Sequence, residues 1–313
     1  MFEQAQAELS TVRDLLRFAV SRFNEAKLFF GHGADNAWDE AAYLLLHTLH
    51  LPLARLEPFL EARLTSDERA SVLRIIERRV SERLPVAYLT NEAWLGDCSF
   101  YVDERVIVPR SFIAELLREQ LAPWIDDPEQ VAAVLDLCTG SGCLAILAAR
   151  AFPAAAIDAT DISPDALAVA RRNVADYDLA ARIRLVEGDL FAGLKKRRYD
   201  LIIANPPYVS AAAVQAFPPE YRAEPVIAHL GGRDGLDAVR AILDEAPKHM
   251  SPGGKLVVEI GTGREVLEAE RPELNFLWLD TAESEGEVFA LDVEPPKPAA
   301  APAAKKRVKK VAG

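Results

Sequence analysis

Residues 131–152 read VAAVLDLCTGSGCLAILAARAF. The first eight are mostly branched and apolar, the pattern of a buried strand. The last ten are rich in alanine and leucine, the pattern of a helix. Between them lie Thr139, Gly140, Ser141 and Gly142. Glycines there let a backbone approach a ligand closely and permit positive φ. The turn is not a phosphate loop, because no lysine follows at the GxxxxGK[ST] spacing. It is not a complete GxGxxG either, since Ala145 takes the last place, where the pattern admits alanine. Taken alone, the turn fits a cofactor loop and a plain tight turn equally well.

Strand and helix patterns continue to alternate downstream. AAIDATDI is a strand, and PDALAVARRNVADY is a helix opened by Pro164 in its first turn. RIRLVEGDL and DLIIAN are strands, LDAVRAILDEAPKHM a helix, and GKLVVEI, FLWLDT and EVFALDV strands. This order predicts an α/β fold with a doubly wound, mostly parallel sheet of seven strands. Only a glycine-bearing turn (282–287) separates the last two strands, which predicts an antiparallel hairpin at one sheet edge.

Upstream, residues 1–84 carry apolar residues three or four apart and predict a small helical bundle, read as a substrate-recognition domain. Ser66-Asp67-Glu68 offers acidic capping to one of its helices. In 85–110, VAYLTNEAWL and SFYVDERVIVP flank a Gly-Asp-Cys turn, which predicts a linking β-hairpin. FIAELLREQLAPWI returns to helix. The main domain is expected over 111–294, with a Pro/Ala-rich, basic and disordered tail over 295–313.

Composition narrows the function classes. The 313 residues carry a net charge of −12. The last nineteen hold six basic residues and no acidic one, which leaves −18 on the rest. An acidic body argues against broad nucleic-acid binding. The tail reads as a solubilising appendage, or more sharply as a weak electrostatic tether to RNA or a ribosomal particle. Three cysteines and five histidines show no metal-ligand spacing, so no metal is expected. No apolar run reaches membrane-spanning length and the first residues lack a signal-peptide layout, so a cytoplasmic protein is expected.

In open α/β sheets ligands bind beyond the carboxyl ends of the strands. The first strand offers Asp136, Thr139, Gly140 and Gly142. The second ends in Asp161, which can accept from ribose hydroxyls or cap the helix at Pro164. The third ends near Asp189 and Leu190, suited to an adenine amino group and ring. The fourth ends in Asn205-Pro206-Pro207-Tyr208. Together they describe a nucleoside pocket with no basic residue to hold a pyrophosphate. A nucleoside bearing an amino acid, S-adenosylmethionine, fits that set.

Residues 130–293 resemble class I, Rossmann-like S-adenosylmethionine-dependent methyltransferases. The chain to residue 294 resembles the protein-glutamine methyltransferases, through VIVPR (106–110), DLCTGSG (136–142), NPPY (205–208) and GRDGLD (232–237). Cys138 stands where that family has glycine, a change expected to cost little if φ is not positive. PRSFIAEL (109–116), VAYLTNEAW before it and PPEYRAEP (218–225) resemble the branch acting on the third protein of the large ribosomal subunit. The release-factor branch continues PRPETE, where this chain has Ser111. Phe112 departs from the proline expected in the ribosomal branch.

The resemblance implies a chemistry that NPPY suits. An amide nitrogen is a poor nucleophile, because its lone pair is delocalised. Two acceptors aimed at its N–H bonds, the Asn205 side-chain oxygen and the Pro206 carbonyl, would orient it and stabilise developing positive charge. Prolines fix φ and add no competing donor. Tyr208 offers a ring face to a planar group. Pro207, Phe100 and Arg110 complete the expected substrate contacts, with Phe100 equally readable as core. Three rival readings stand: a nucleobase amino-methyltransferase, a release-factor methyltransferase and a non-catalytic ribosome-assembly factor.

Overall fold

The computed structural model describes residues 1–194 and 197–293. The 295–313 tail, with its tether reading, lies outside the described residues.

Four helices, α1 (Phe2–Glu8), α2 (Val12–Glu25), α3 (Ala37–Thr48) and α4 (Ser66–Glu82), form the N-terminal bundle. Leu15, Leu16, Leu44, Leu45 and Ile76 interlock in its core. The cap of α4 is Thr65, one residue before the Ser66-Asp67-Glu68 stretch, whose acids lie in the first turn. Thr65 and Glu68 form a reciprocal capping box, which satisfies two otherwise orphaned donors. Arg79 of α4 is fully buried and donates to Glu40 at 2.8 Å and to the Phe29 carbonyl at 3.0 Å.

The expected linking hairpin is present but shorter. Residues 86–90 form α5 (Val86–Thr90) instead of a strand. Pro85 starts the turn with a fixed φ, and burial of Val86, Ala87, Tyr88 and Leu89 overrides their β-branched and aromatic preference. The hairpin itself is β1 (Ala93–Leu95) with β2 (Cys98–Phe100). Gly96, at φ +64°, opens its two-residue turn. Residues 101–110 carry no strand. Next comes α6 (Ile113–Arg118), shorter than its apolar pattern suggested.

The main sheet follows in chain order: β3 (Ala133–Leu137), α7 (Cys143–Ala151), β4 (Ala156–Asp161), α8 (Pro164–Asp176), β5 (Ile183–Glu187) and β6 (Tyr199–Ala204). Then come α9 (Ala211–Gln215), α10 (Asp237–His249), β7 (Met250–Glu259), α11 (Arg264–Glu270), β8 (Leu277–Leu279) and β9 (Val288–Val293). The strand order is β5-β4-β3-β6-β7-β9-β8. Pairings from β5 through β7 are parallel, and β9 pairs antiparallel with both β7 and β8. The edge hairpin is therefore present, with its second strand inserted against β7.

Alternate side chains of β6 serve opposite faces. Leu201 and Ile203 join the core beneath α6 and α7, while Ile202 and Ala204 join the core with Val239, Ile242 and Ala246 of α10. Both faces are covered, which is why the strands read as unbroken apolar runs. The order reverses between β3 and β6, and the glycine turn and NPPY stand side by side at that switch.

Candidate active site

A cavity of about 500 Å³ opens at the carboxyl ends of β3–β6. Gly140, Asp161, Asp189, Leu190, Asn205 and Pro207 line it, a set assembled from four strand ends. Its other walls come from residues 105–107 and from the segment 225–241.

Asp161 accepts from Gly140 N at 2.8 Å and from Ser163 N at 2.9 Å. It is not the cap of α8. Ser163 performs that task by accepting from Ala166 N. Asp161 thus pins the glycine turn and still borders the cavity. Burial raises its carboxyl above the ordinary aspartate value, against the backbone N–H groups that lower it.

Asp136, Thr139 and Gly142 lie outside the cavity wall. Gly142 is the N-cap of α7, and Thr139 donates to the fully buried Asp136. The other Asp136 oxygen has no hydrogen-bond partner. Burial pushes this carboxyl up to about 7, with the Thr139 hydroxyl acting in the opposite sense. The unfolded group titrates near ~3.9. The contribution of Asp136 to stability is therefore fully present below about pH 4 and is lost as pH rises through about 7, by up to ~1.4 kcal/mol per pH unit. Asp136→Asn should flatten that loss, which thermal denaturation of the ligand-free protein at pH 5.5 and pH 8 would measure.

Cys138 borders the cavity with φ +57°. The condition under which replacing glycine costs little, a φ that is not positive, is not met, and a side chain in the left-handed region strains the backbone. Cys138→Gly should stabilise the protein by about 1 kcal/mol, read from the midpoint of urea unfolding.

The NPPY loop is fixed from three sides. Asn205 Nδ2 donates to the Arg110 carbonyl at 3.1 Å. That bond turns the amide so that Oδ1 accepts from no described donor. The Pro206 carbonyl is likewise without an internal donor among the described residues. Beyond the loop, Val209 N donates to the His229 carbonyl and Gly231 N to the Val209 carbonyl, at 2.8 and 2.9 Å. Gly235, at φ +90°, explains the GRDGLD element. A Cβ there would stand 2.2 Å from the Tyr208 carbonyl, so the two loops touch backbone to backbone.

The ring of Tyr208 does not line this cavity. Its hydroxyl donates to Glu259 at 2.9 Å, and its edge covers Gly261. Glu259 ends β7 and also accepts from Ser111 Oγ at 2.7 Å and Phe112 N at 3.0 Å. One buried carboxylate thus joins NPPY to the segment after VIVPR. Burial raises its carboxyl above the glutamate value, while Ser111 and Tyr208 lower it. Sequence reasoning missed Glu259, whose partners lie about 150 and 50 residues away in sequence.

Arg110 reaches the site through its carbonyl. Its guanidinium forms a two-pronged pair with Glu224, at 2.8 and 2.7 Å, and sits over the Tyr221 ring. Val108 N donates to the same carboxylate at 2.8 Å, and His229 Nε2 lies 3.0 Å away. Burial opposes the ionised form of Glu224, but Arg110, His229 and His32 outweigh it and hold the carboxyl far below the ordinary range. PPEYRAEP is therefore a clasp. Glu224 grips residues 108–110, and Glu220 accepts from Phe29 N and pairs with Arg83 of the bundle. Phe100 is 1% exposed, packed with Tyr177 in the main core, and presents no face to a substrate.

A family model described as the methyltransferase small domain matches residues 114–217. The crystal structure of the hMettl16 catalytic domain in complex with MAT2A 3'UTR hairpin 1 superposes with a TM-score of 0.51. It covers 83% of this chain and 95% of that one at 15% identity, a likeness of fold. Sheet order, glycine turn and NPPY loop together define a class I methyltransferase. A relative from Neisseria meningitidis serogroup B, named ribosomal protein uL3 glutamine methyltransferase, is 60% identical over 94% of this chain and 97% of its own length. A relative of the same name from Bordetella pertussis is 59% identical over 92% and 96%. The chain belongs to the ribosomal protein uL3 glutamine methyltransferase family.

Proposed function

We propose that this protein transfers a methyl group from S-adenosylmethionine to the side-chain amide nitrogen of a glutamine in ribosomal protein uL3. The observation that carries the reading is the orientation of Asn205, whose Nδ2 is committed to the Arg110 carbonyl and whose Oδ1 is left to accept. The relatives' names supply the acceptor protein.

The pocket fits the cofactor by the chemistry of its donors and acceptors. Asp161 retains lone pairs for ribose hydroxyls, Asp189 and Leu190 suit an adenine edge and face, and the cavity size suits a nucleoside. Bound there, S-adenosylmethionine supplies an electrophilic methyl group on a sulfonium.

The protein's own work is placement. Asn205 Oδ1 and the Pro206 carbonyl accept the two N–H bonds of the substrate amide, which holds its nitrogen facing the cavity. Orientation of this kind is worth roughly 7–11 kcal/mol in well-ordered systems. The same acceptors stabilise the charge that grows on nitrogen, and they require no reorganisation during the reaction. Methyl transfer leaves a cationic, N-protonated amide that is strongly acidic, so its proton leaves to water without a strong base. Tyr208 acts from behind, where Glu259 fixes the loop that carries both acceptors.

The test is label transfer from radioactive S-adenosylmethionine to purified uL3, a release factor and bulk RNA, offered separately. Label on uL3 alone, lost with Asn205→Ala, is expected. Label on RNA or on the release factor would replace the substrate assignment. Cofactor binding with no label on any of them would point to an assembly role.

A further inference from the structure

A second cavity, also about 500 Å³, lies between the helical bundle and the VIVPR segment. Nothing in the chemistry above uses it. The two cavities share a partition. Val106 and Ile107 line the first, Val108 and Pro109 line the second, and the next residue, Arg110, holds Asn205 through its carbonyl. Because adjacent residues of one segment line the two cavities, a few extended residues at roughly 3.3 Å each would carry a peptide from a glutamine at Asn205 to the second cavity.

The wall of this cavity has a consistent chemistry. Val86, Leu53 and Ala54 give it an aliphatic side, Tyr43 and Trp94 give it rings, and Asp39, Glu40 and Glu92 give it carboxylates. No lysine or arginine lines it among the described residues, and its one imidazole, His32, has Nε2 3.4 Å from Glu224. Glu40 is already neutralised by Arg79. Glu92 is different. Its Oε1 accepts from Tyr43 at 2.8 Å and from Trp94 Nε1 at 2.9 Å, and its Oε2 accepts from no described donor. Two aromatic side chains thus orient one carboxylate and leave half of it unused. Asp39 adds charge at the rim, and Trp94 is 46% exposed. Rings, an oriented carboxylate and an apolar slot match a cation on a long aliphatic stem.

We infer that this cavity seats an arginine or lysine side chain of the substrate protein, close in sequence to the glutamine that is methylated. The inference rests on the proposed function. It adds that recognition depends on a basic residue beside the target, read by the helical bundle and the hairpin. The acidic body of the protein attracts the same kind of partner over longer range.

Steady-state methylation of purified uL3 by wild type, Glu92→Gln and Ala54→Arg tests this. Ala54 is an exposed turn residue at the lip, so its arginine places a competing cation at the entrance without disturbing the core. Each variant should raise KM for uL3 about tenfold, the worth of a partly desolvated cation site, with kcat and S-adenosylmethionine affinity unchanged. The salt dependence of KM should flatten in Glu92→Gln. Thermal denaturation would confirm that Ala54→Arg is folded. Wild-type KM in both variants, or a change confined to kcat or cofactor affinity, would overturn the inference while leaving glutamine methylation intact. Failure of the wild type to label uL3 would remove the proposed function, and this inference with it.

Discussion

Asn205→Ala is expected to lower kcat/KM for methyl transfer by about 10²–10³-fold, the loss seen when one preorganised polar partner of a transition state is removed. Stability should change little, because the variant gives up one hydrogen bond to the Arg110 carbonyl, worth about 1 kcal/mol. Asn205→Asp sharpens the test. It keeps an acceptor but cannot donate to Arg110, so its carboxylate would face a carbonyl across 3.1 Å. If the acceptor alone mattered, Asp would restore activity. Since the bond to Arg110 sets which atom points at the substrate, Asp should be nearly as inactive as Ala. Single-turnover rates at saturating cofactor separate the chemical step from binding.

Glu224→Ala should cost about 3–5 kcal/mol of stability, because removing one member of a buried pair strands the other. The carboxylate is fully buried, and its loss leaves Val108 N and the Arg110 guanidinium without their acceptor. The midpoint of chemical unfolding would register this. Activity should fall as well, because Arg110 carries the carbonyl that orients Asn205. The pH dependence has a definite sign. The folded carboxyl titrates below its unfolded value, so its stabilisation is present above about pH 4.5 and is lost as pH falls toward the folded value. Glu224→Gln should lose that acid-limb dependence, while Asp136 acts in the opposite direction near neutrality.

The alternating texture from residue 131 onward was enough to predict a parallel sheet with an antiparallel edge, because inner strands such as β6 are apolar on both faces and helical patterns fall between them. Four loops could be grouped as one pocket from topology alone, since ligands gather at strand ends where the order reverses. The misreadings have local causes. Residues 86–90 look like strand, yet a proline start and burial on all sides make a helical turn. Cysteine as a residue type does not mark a left-handed backbone, and the glycine that the resembled family has at position 138 was the one signal of it. Phe100 and Tyr208 are aromatic residues whose packing depends on which distant segment covers them. Glu224 and Glu259 were unreadable for the same reason. A lone glutamate in sequence becomes a clasp only when chain segments more than a hundred residues apart meet around it.

The place of β9 has a consequence for how the protein is made. The last strand of the sheet in sequence lies between β7 and β8 and pairs with both. During synthesis β7 is left with a bare edge until residues 288–293 emerge, and β8 has no partner at all before then. Phe289, fully buried against Phe276 and Trp278, is likewise a late arrival in its core. The nascent chain therefore carries an open β7 edge from residue 259 until residue 288 is made, a state prone to wrong edge pairing. A truncation before residue 288 removes the strand that joins β7 to the edge strand β8 instead of trimming a margin, so no shorter form of the catalytic sheet should accumulate in the cell.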